Sequence, residues 1–209
     1  MGGGAPGEEP GEAEAPRVYD RPVPDPPWND VFRLMKEAYD AGTIPVGAVV
    51  TDGSGAVVAR GRNRIFDTAV DGELGASRLA HAEINALLGL SSDRTYESHT
   101  LYTALEPCHL CLSAAYSVRI GTVRFAARDR YGGAIGRLLP SADHQAHPLT
   151  IEGPLPGEPG ELPELLLVAF FLWRRPDGDV IRFFERQDPE LVMRARGLEP
   201  PGGSRPTGT

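Results

Sequence analysis

Cysteine is almost missing: the 209 residues contain two, Cys108 and Cys111. A disulfide framework needs more pairs and an oxidising compartment, so that class is excluded. Long apolar runs are missing too. Nothing approaches the roughly 20 residues of a membrane span, and the late run 165–173 is far too short, so no membrane role is expected. The first 27 residues have neither a basic start nor an apolar core, so no signal peptide is read there, and the cytoplasm is the expected location. Cations are outnumbered, with 21 Lys and Arg against 29 Asp and Glu and a net charge of −8. That balance opposes unassisted binding to a nucleic-acid backbone, which rewards clustered cations. Arg174, Arg175, Arg182 and Arg186 are the one late basic group, and they read as a solvated face.

What is present falls into a middle and two ends. Residues 1–27 are rich in Gly, Pro and Glu with almost no large apolar groups, and 197–209 reads the same way. Neither end buries enough surface to offset ordering entropy, so disorder is expected in both. The domain is read as 28–190. Within it, 30–41 spaces Val31, Leu34, Met35 and Ala38 as one helical face, ended by Gly42. A hairpin follows, with strands 44–51 and 56–63 about a turn at 52–55. A polar loop over 64–79 leads to a helix at 80–89 and a strand at 100–105. Pro107 is expected to open the next helix, through about Val118. Strands at 121–127 and 149–152 and a largely buried helix at 162–174 complete the pattern, while 180–184 reads equally as a continuation of that helix or an extra strand. Strands interspersed with helices in this order predict a sheet covered on both faces.

The chemistry is concentrated in His81-Ala82-Glu83 and Pro107-Cys108-His109-Leu110-Cys111. Cysteines at i and i+3 share one helical face, and a helix N-terminus favours the thiolate that a metal requires. One His and two Cys leave the fourth position of a tetrahedral zinc open, as a catalytic site requires. Glu83, beside the metal and not bound to it, can carry protons from the attacking water to the ring and to the leaving amine. A redox dithiol lacks its usual context here, and a structural zinc lacks a fourth ligand, since His109 is expected to point away. His99, His144 and His147 read as surface or loop residues.

His-x-Glu followed by Pro-Cys-x-x-Cys is the known signature of zinc deaminases that act on bases. With 44–50 (IPVGAVV), Asn63-Arg64, 80–84 (AHAEI), 100–108 (TLYTALEPC), 123–129 and Phe170-Phe171, the chain resembles the cytidine-deaminase-like superfamily, within it the tRNA adenosine deaminases and guanine deaminases, over about 28–175. The resemblance implies an α/β fold with three α/β/α layers around a mixed five-stranded sheet, one Zn2+ per chain on His81, Cys108 and Cys111, and a homodimer. It also implies that Asn63 bonds the base, Ala82 offers it backbone groups, Val46 floors the pocket, Asp129 lies near the sugar and Phe171 closes the pocket. The chain departs from the adenosine deaminases at Ser77-Arg78-Leu79 and in a longer 64–79 loop that adds Asp71 and Glu73. Acidity and this loop favour hydrolytic deamination of a free nucleoside or nucleobase. The alternative is tRNA wobble-adenosine to inosine deamination. A catalytically idle zinc-stabilised binding subunit is the third reading, and Glu83 argues against it.

Overall fold

The computed structural model describes residues 26–137 and 145–202. His144, most of the 1–27 segment and 203–209 lie outside them. The described elements run α1 (Trp28–Asp40), β1 (Gly47–Thr51), β2 (Val57–Arg62), α2 (Ala82–Leu88), β3 (Thr100–Leu105), α3 (His109–Ser117), β4 (Thr122–Ala127), β5 (Thr150–Glu152), α4 (Glu158–Arg174), α5 (Asp179–Gln187) and α6 (Pro189–Arg196). The five strands form one sheet in the order β2-β1-β3-β4-β5. β1 pairs antiparallel with β2 and β3, whereas β3–β4 and β4–β5 are parallel. The sheet is therefore mixed. α1 and α4 touch each other and cover one face, and α2 and α3 cover the other.

The layers follow from the pattern of side chains. α1 buries Val31, Leu34, Met35 and Ala38 against β1, β2 and β3, and Trp28 meets Tyr102 edge to face at 5.2 Å. Gly42, with φ +69°, ends it. The Gly42 N–H returns to Tyr39 O at 2.9 Å and the Thr43 N–H to Ala38 O at 3.1 Å, the two bonds of a Schellman close. This fixes the direction in which the chain leaves α1, toward Thr43. β1 is buried along its whole length, as the centre of a doubly covered sheet must be. On the other face α2 lies directly on β2, which only Gly61 allows: a Cβ there would stand 2.3 Å from Ala86 N.

Four expectations change. Pro107 does not open α3; Cys108 is its N-cap, with extended backbone, and the helix begins at His109. Residues 180–184 belong to α5, a separate amphipathic helix, because the chain leaves α4 at Arg175 and turns through Gly178. The ordered chain runs past 190 through α6, capped by Asp188, whose Oδ1 accepts from Leu191 N at 2.9 Å. The described part of the 197–209 segment is docked: Pro201 is buried, and Tyr39 donates its hydroxyl to Glu199 O at 2.7 Å. His99, read as a surface or loop residue, lies in the loop before β3 and is buried edge to face against Tyr96.

Candidate active site

Two helix starts converge on one side of the sheet. His81 is the N-cap of α2 and Glu83 lies in its first turn, while Cys108 and Cys111 stand at the N-cap and first turn of α3. His81 Nδ1 is 3.6 Å from Cys108 Sγ and 3.4 Å from Cys111 Sγ, and the sulfurs are 3.7 Å apart. Zinc bonds of about 2.3 Å to sulfur and 2.0 to 2.1 Å to nitrogen, at tetrahedral angles, require separations of about 3.8 Å for S···S and 3.6 Å for S···N. The triangle thus fits a tetrahedral zinc without rearrangement, and among the described residues these three are the group that could hold a metal. The thiols are unequal: hydrogen bonding to Cys111 and His81 brings Cys108 down to about 4, while the same bond and burial push Cys111 up. His109 is exposed and takes no part.

Glu83 is 4% exposed, and burial raises its carboxyl above the usual range. Thr103, buried on β3, donates its hydroxyl to Glu83 Oε1 at 3.2 Å and holds that oxygen toward the sheet. Glu83, His81 and Cys108 open on a cavity of about 210 Å³, whose wall also includes Asn63, Val46, Asp129 and Phe171. Four of the five expected substrate contacts are thereby brought together. Ala82 is the exception: it is fully buried at the start of α2 and is not part of the wall.

The remaining wall was not foreseen. Ile44 comes from just before β1, Leu105 and Glu106 from the end of β3 and the residue after it, Leu167 from α4, Tyr131 and Gly132 from the loop after β4, and Val180 from α5. Tyr131 meets Phe183 edge to face at 5.5 Å, so α5 stands against the loop that carries Asp129. Asp129 accepts from the Tyr131 and Gly132 N–H groups at 3.0 and 2.7 Å, yet desolvation still raises its carboxyl. Arg130 anchors that loop to the helices behind it, reaching Glu164 at 2.8 Å and Asp188 at 3.0 Å. An acidic residue in the loop and an aromatic one beside it are the only sequence signals that could have located this wall.

The 64–79 loop is folded away from the cavity, and none of its residues lines it. Asn85 clamps it, accepting from Leu74 N at 2.8 Å and donating to Leu74 O and Arg62 O, each at 3.1 Å. Glu73 is paired with Arg64, and Asp67 with Arg62 and Arg64, so these acids present no free charge to an incoming ligand. Of the two acids that the longer loop adds, Glu73 is therefore neutralised and Asp71 is exposed, and neither is on the cavity wall. Phe66 carries the Arg174 guanidinium 3.4 Å above its ring, one turn beyond Phe171 on α4.

Residues 29–127 match the family described as cytidine and deoxycytidylate deaminase zinc-binding region. The chain is 34% identical over 151 residues to the tRNA-specific adenosine deaminase of Bacillus subtilis, covering 68% of this chain and 84% of that protein. It is 34% identical over 155 residues to the tRNA(Ile)-lysidine synthase of Deinococcus radiodurans, covering 72% of this chain. The chain spans only 25% of that synthase's length. Among solved structures, the guanine deaminase of Nitrosomonas europaea has the same fold, with a TM-score of 0.53 and 24% identity over 72% of this chain and 86% of that one.

Proposed function

The chain belongs to the zinc-binding cytidine and deoxycytidylate deaminase family, and on that premise we propose that it hydrolytically deaminates adenosine presented in RNA. The observation that carries this reading is the 34% identity to a tRNA-specific adenosine deaminase across 84% of that protein. We set it above the free-compound reading because, of the two objections to RNA, the net charge of −8 and the loop acids, the second is weakened. Glu73 is neutralised by Arg64, and the loop stands off the cavity. The Phe66–Arg174 stack beside Phe171 offers a flat cationic ledge on which a neighbouring nucleotide can rest.

His81, Cys108 and Cys111 would hold the zinc, which when bound supplies the Lewis acidity that makes water nucleophilic near neutral pH. Water oxygen adds to the amine-bearing ring carbon, the C–N bond breaks and ammonia leaves. Glu83 takes the first water proton and gives it to the adjacent ring nitrogen, then takes the second from the added hydroxyl and gives it to the departing amine, leaving a ring carbonyl and ammonia. Its buried, raised carboxyl suits a group that must be protonated and deprotonated within one turnover. Asn63 and Val46 orient the base, Phe171 closes over it, and Asp129 meets the sugar. We further propose that the protein works as a homodimer, as the resemblance implies.

A second reading, a free nucleoside or nucleobase substrate, is favoured by two observations, the first being that Val180 of α5 joins the cavity wall beside the Tyr131 loop. The net charge of −8 points the same way. Inosine formation in an anticodon stem-loop RNA, measured beside ammonia release from adenine, guanine, cytosine and their nucleosides, separates the two. Editing of the RNA with silence on the free compounds is expected. Turnover of a free compound with an unedited RNA would overturn the proposal in favour of the second reading.

A further inference from the structure

Thr43 is fully buried, two residues past the Gly42 close of α1, at a point where the sequence shows no motif. Its Oγ1 accepts from Phe66 N at 3.3 Å and lies 2.8 Å from Asn63 Oδ1. A hydroxyl has one proton to give, and here it goes to Asn63. The Ile65 N–H reaches the same Asn63 oxygen at 3.1 Å. A backbone N–H can only donate, so the amide atom it meets must be the oxygen, and the amide is fixed against a flip. Two donors fill both lone-pair directions of Oδ1. Among the described residues the other end of the amide has no partner. Among the described residues no sealed side-chain nitrogen or oxygen is left unpaired, so Asn63 Nδ2 is not sealed in the core and opens on the cavity that Asn63 lines. The Asn63 main chain is held as firmly, its N–H donating to Val46 O at 2.9 Å.

We propose that Thr43 is a positioning residue that locks the Asn63 amide oxygen inward, so that this wall of the pocket presents N–H donors and no acceptor. A substrate ring must then bring an unprotonated ring nitrogen or a carbonyl oxygen to this wall, and a ring that brings an N–H is rejected. Without the Thr43 hydroxyl the amide has one inward donor in place of two. It can then rotate, and the binding orientation must be ordered anew for each substrate. The inference rests on the deaminase reading above, but not on the choice between RNA and a free compound.

The test uses Thr43→Val, Thr43→Ser, Asn63→Ala and Asn63→Asp in the full-length zinc-loaded protein. The probes are adenosine in an anticodon stem-loop RNA and free adenosine and guanine. Thr43→Val is expected to raise KM by roughly three- to tenfold, the worth of one hydrogen bond, with kcat nearly unchanged, and Thr43→Ser to restore it. Asn63→Asp keeps both inward donors satisfied, so it should melt like wild type. It replaces the pocket-facing donor with an anionic acceptor and should lose at least as much kcat/KM as Asn63→Ala. Wild-type KM in Thr43→Val, no rescue by Thr43→Ser, or an active Asn63→Asp would each overturn the lock. A protein inert on all probes would overturn the substrate reading alone. The lock is then read from the Thr43 hydroxyl proton by NMR, which should be protected from water exchange in wild type and labile in Asn63→Ala. Equal protection in both would overturn it.

Discussion

Gly61→Ala tests whether the packing of one helix on one strand holds the metal ligands in place. A Cβ at position 61 would lie 2.3 Å from Ala86 N, 2.5 Å from Ala82 O and 2.7 Å from Asn85 C. All three are backbone atoms of α2, so no side chain can swing aside. Ordinary contact needs about 3.5 Å, which requires α2 to withdraw from β2 by about 1.2 Å. Overpacking of this kind costs about 1–3 kcal/mol, and a rigid backbone neighbour puts it near the top of that range. For a chain of this size the melting temperature should fall by about 4–10 °C. The shift also moves His81 and Glu83, which start α2, while Cys108 and Cys111 stay on α3. The 3.4–3.7 Å ligand triangle should open and zinc affinity should fall with stability. Thermal unfolding with and without a chelator, together with elemental analysis, reads both effects. Gly53→Ala is the control, since its Cβ would meet nothing nearer than 3.6 Å. A Gly61→Ala protein that melts within about 1 °C of wild type and retains full zinc would refute the reasoning.

Cys108→Ser combined with Cys111→Ser should abolish the expected one zinc per chain, as measured by elemental analysis of the purified protein; undiminished zinc would move the site elsewhere. Glu83→Gln should keep the metal and the fold and lose roughly 10²–10⁴-fold in turnover, the worth of a general acid/base, as measured in the RNA assay. In chelator-stripped protein Cys108, held down to about 4, is thiolate from there upward, so iodoacetamide at about pH 6 should label it ahead of Cys111, and zinc should protect it. Asp188→Ala should destabilise by about 1 kcal/mol at neutral pH through the lost cap of α6. The Leu191 N–H and Arg130 hold the Asp188 carboxyl below its ordinary value. Its contribution is therefore complete above about pH 4 and lost as the pH falls through the lowered value. In urea titrations the gap between wild type and variant should close only in acid; a gap that persists unchanged there would assign it to another cause.

The two halves of the site were legible in the sequence because each is local, whereas the meeting of His81 with the cysteines 27 and 30 residues later is made by packing. Cysteines three apart at a helix start, and Glu83 two residues after His81, keep their relations whatever the rest of the chain does. The hairpin and the α1 face were legible for the same reason, since a period of two or of 3.6 is a property of neighbours along the chain. The 180–184 stretch was ambiguous because five residues sustain either period. Only the burial of Ile181 and Phe184 on one side of α5 decided it. What lies between elements could not be read. The wall that joins Leu105, Leu167 and Val180 draws on three elements that only packing brings together. The charge of the 64–79 loop was visible, but its neutralisation by Arg62 and Arg64 depends on where the backbone returns and on the Asn85 clamp. Thr43 and Asn63 are 20 residues apart and carry no shared period. Their meeting is decided by the Gly42 close and the β1–β2 register, which exist only once the sheet has formed.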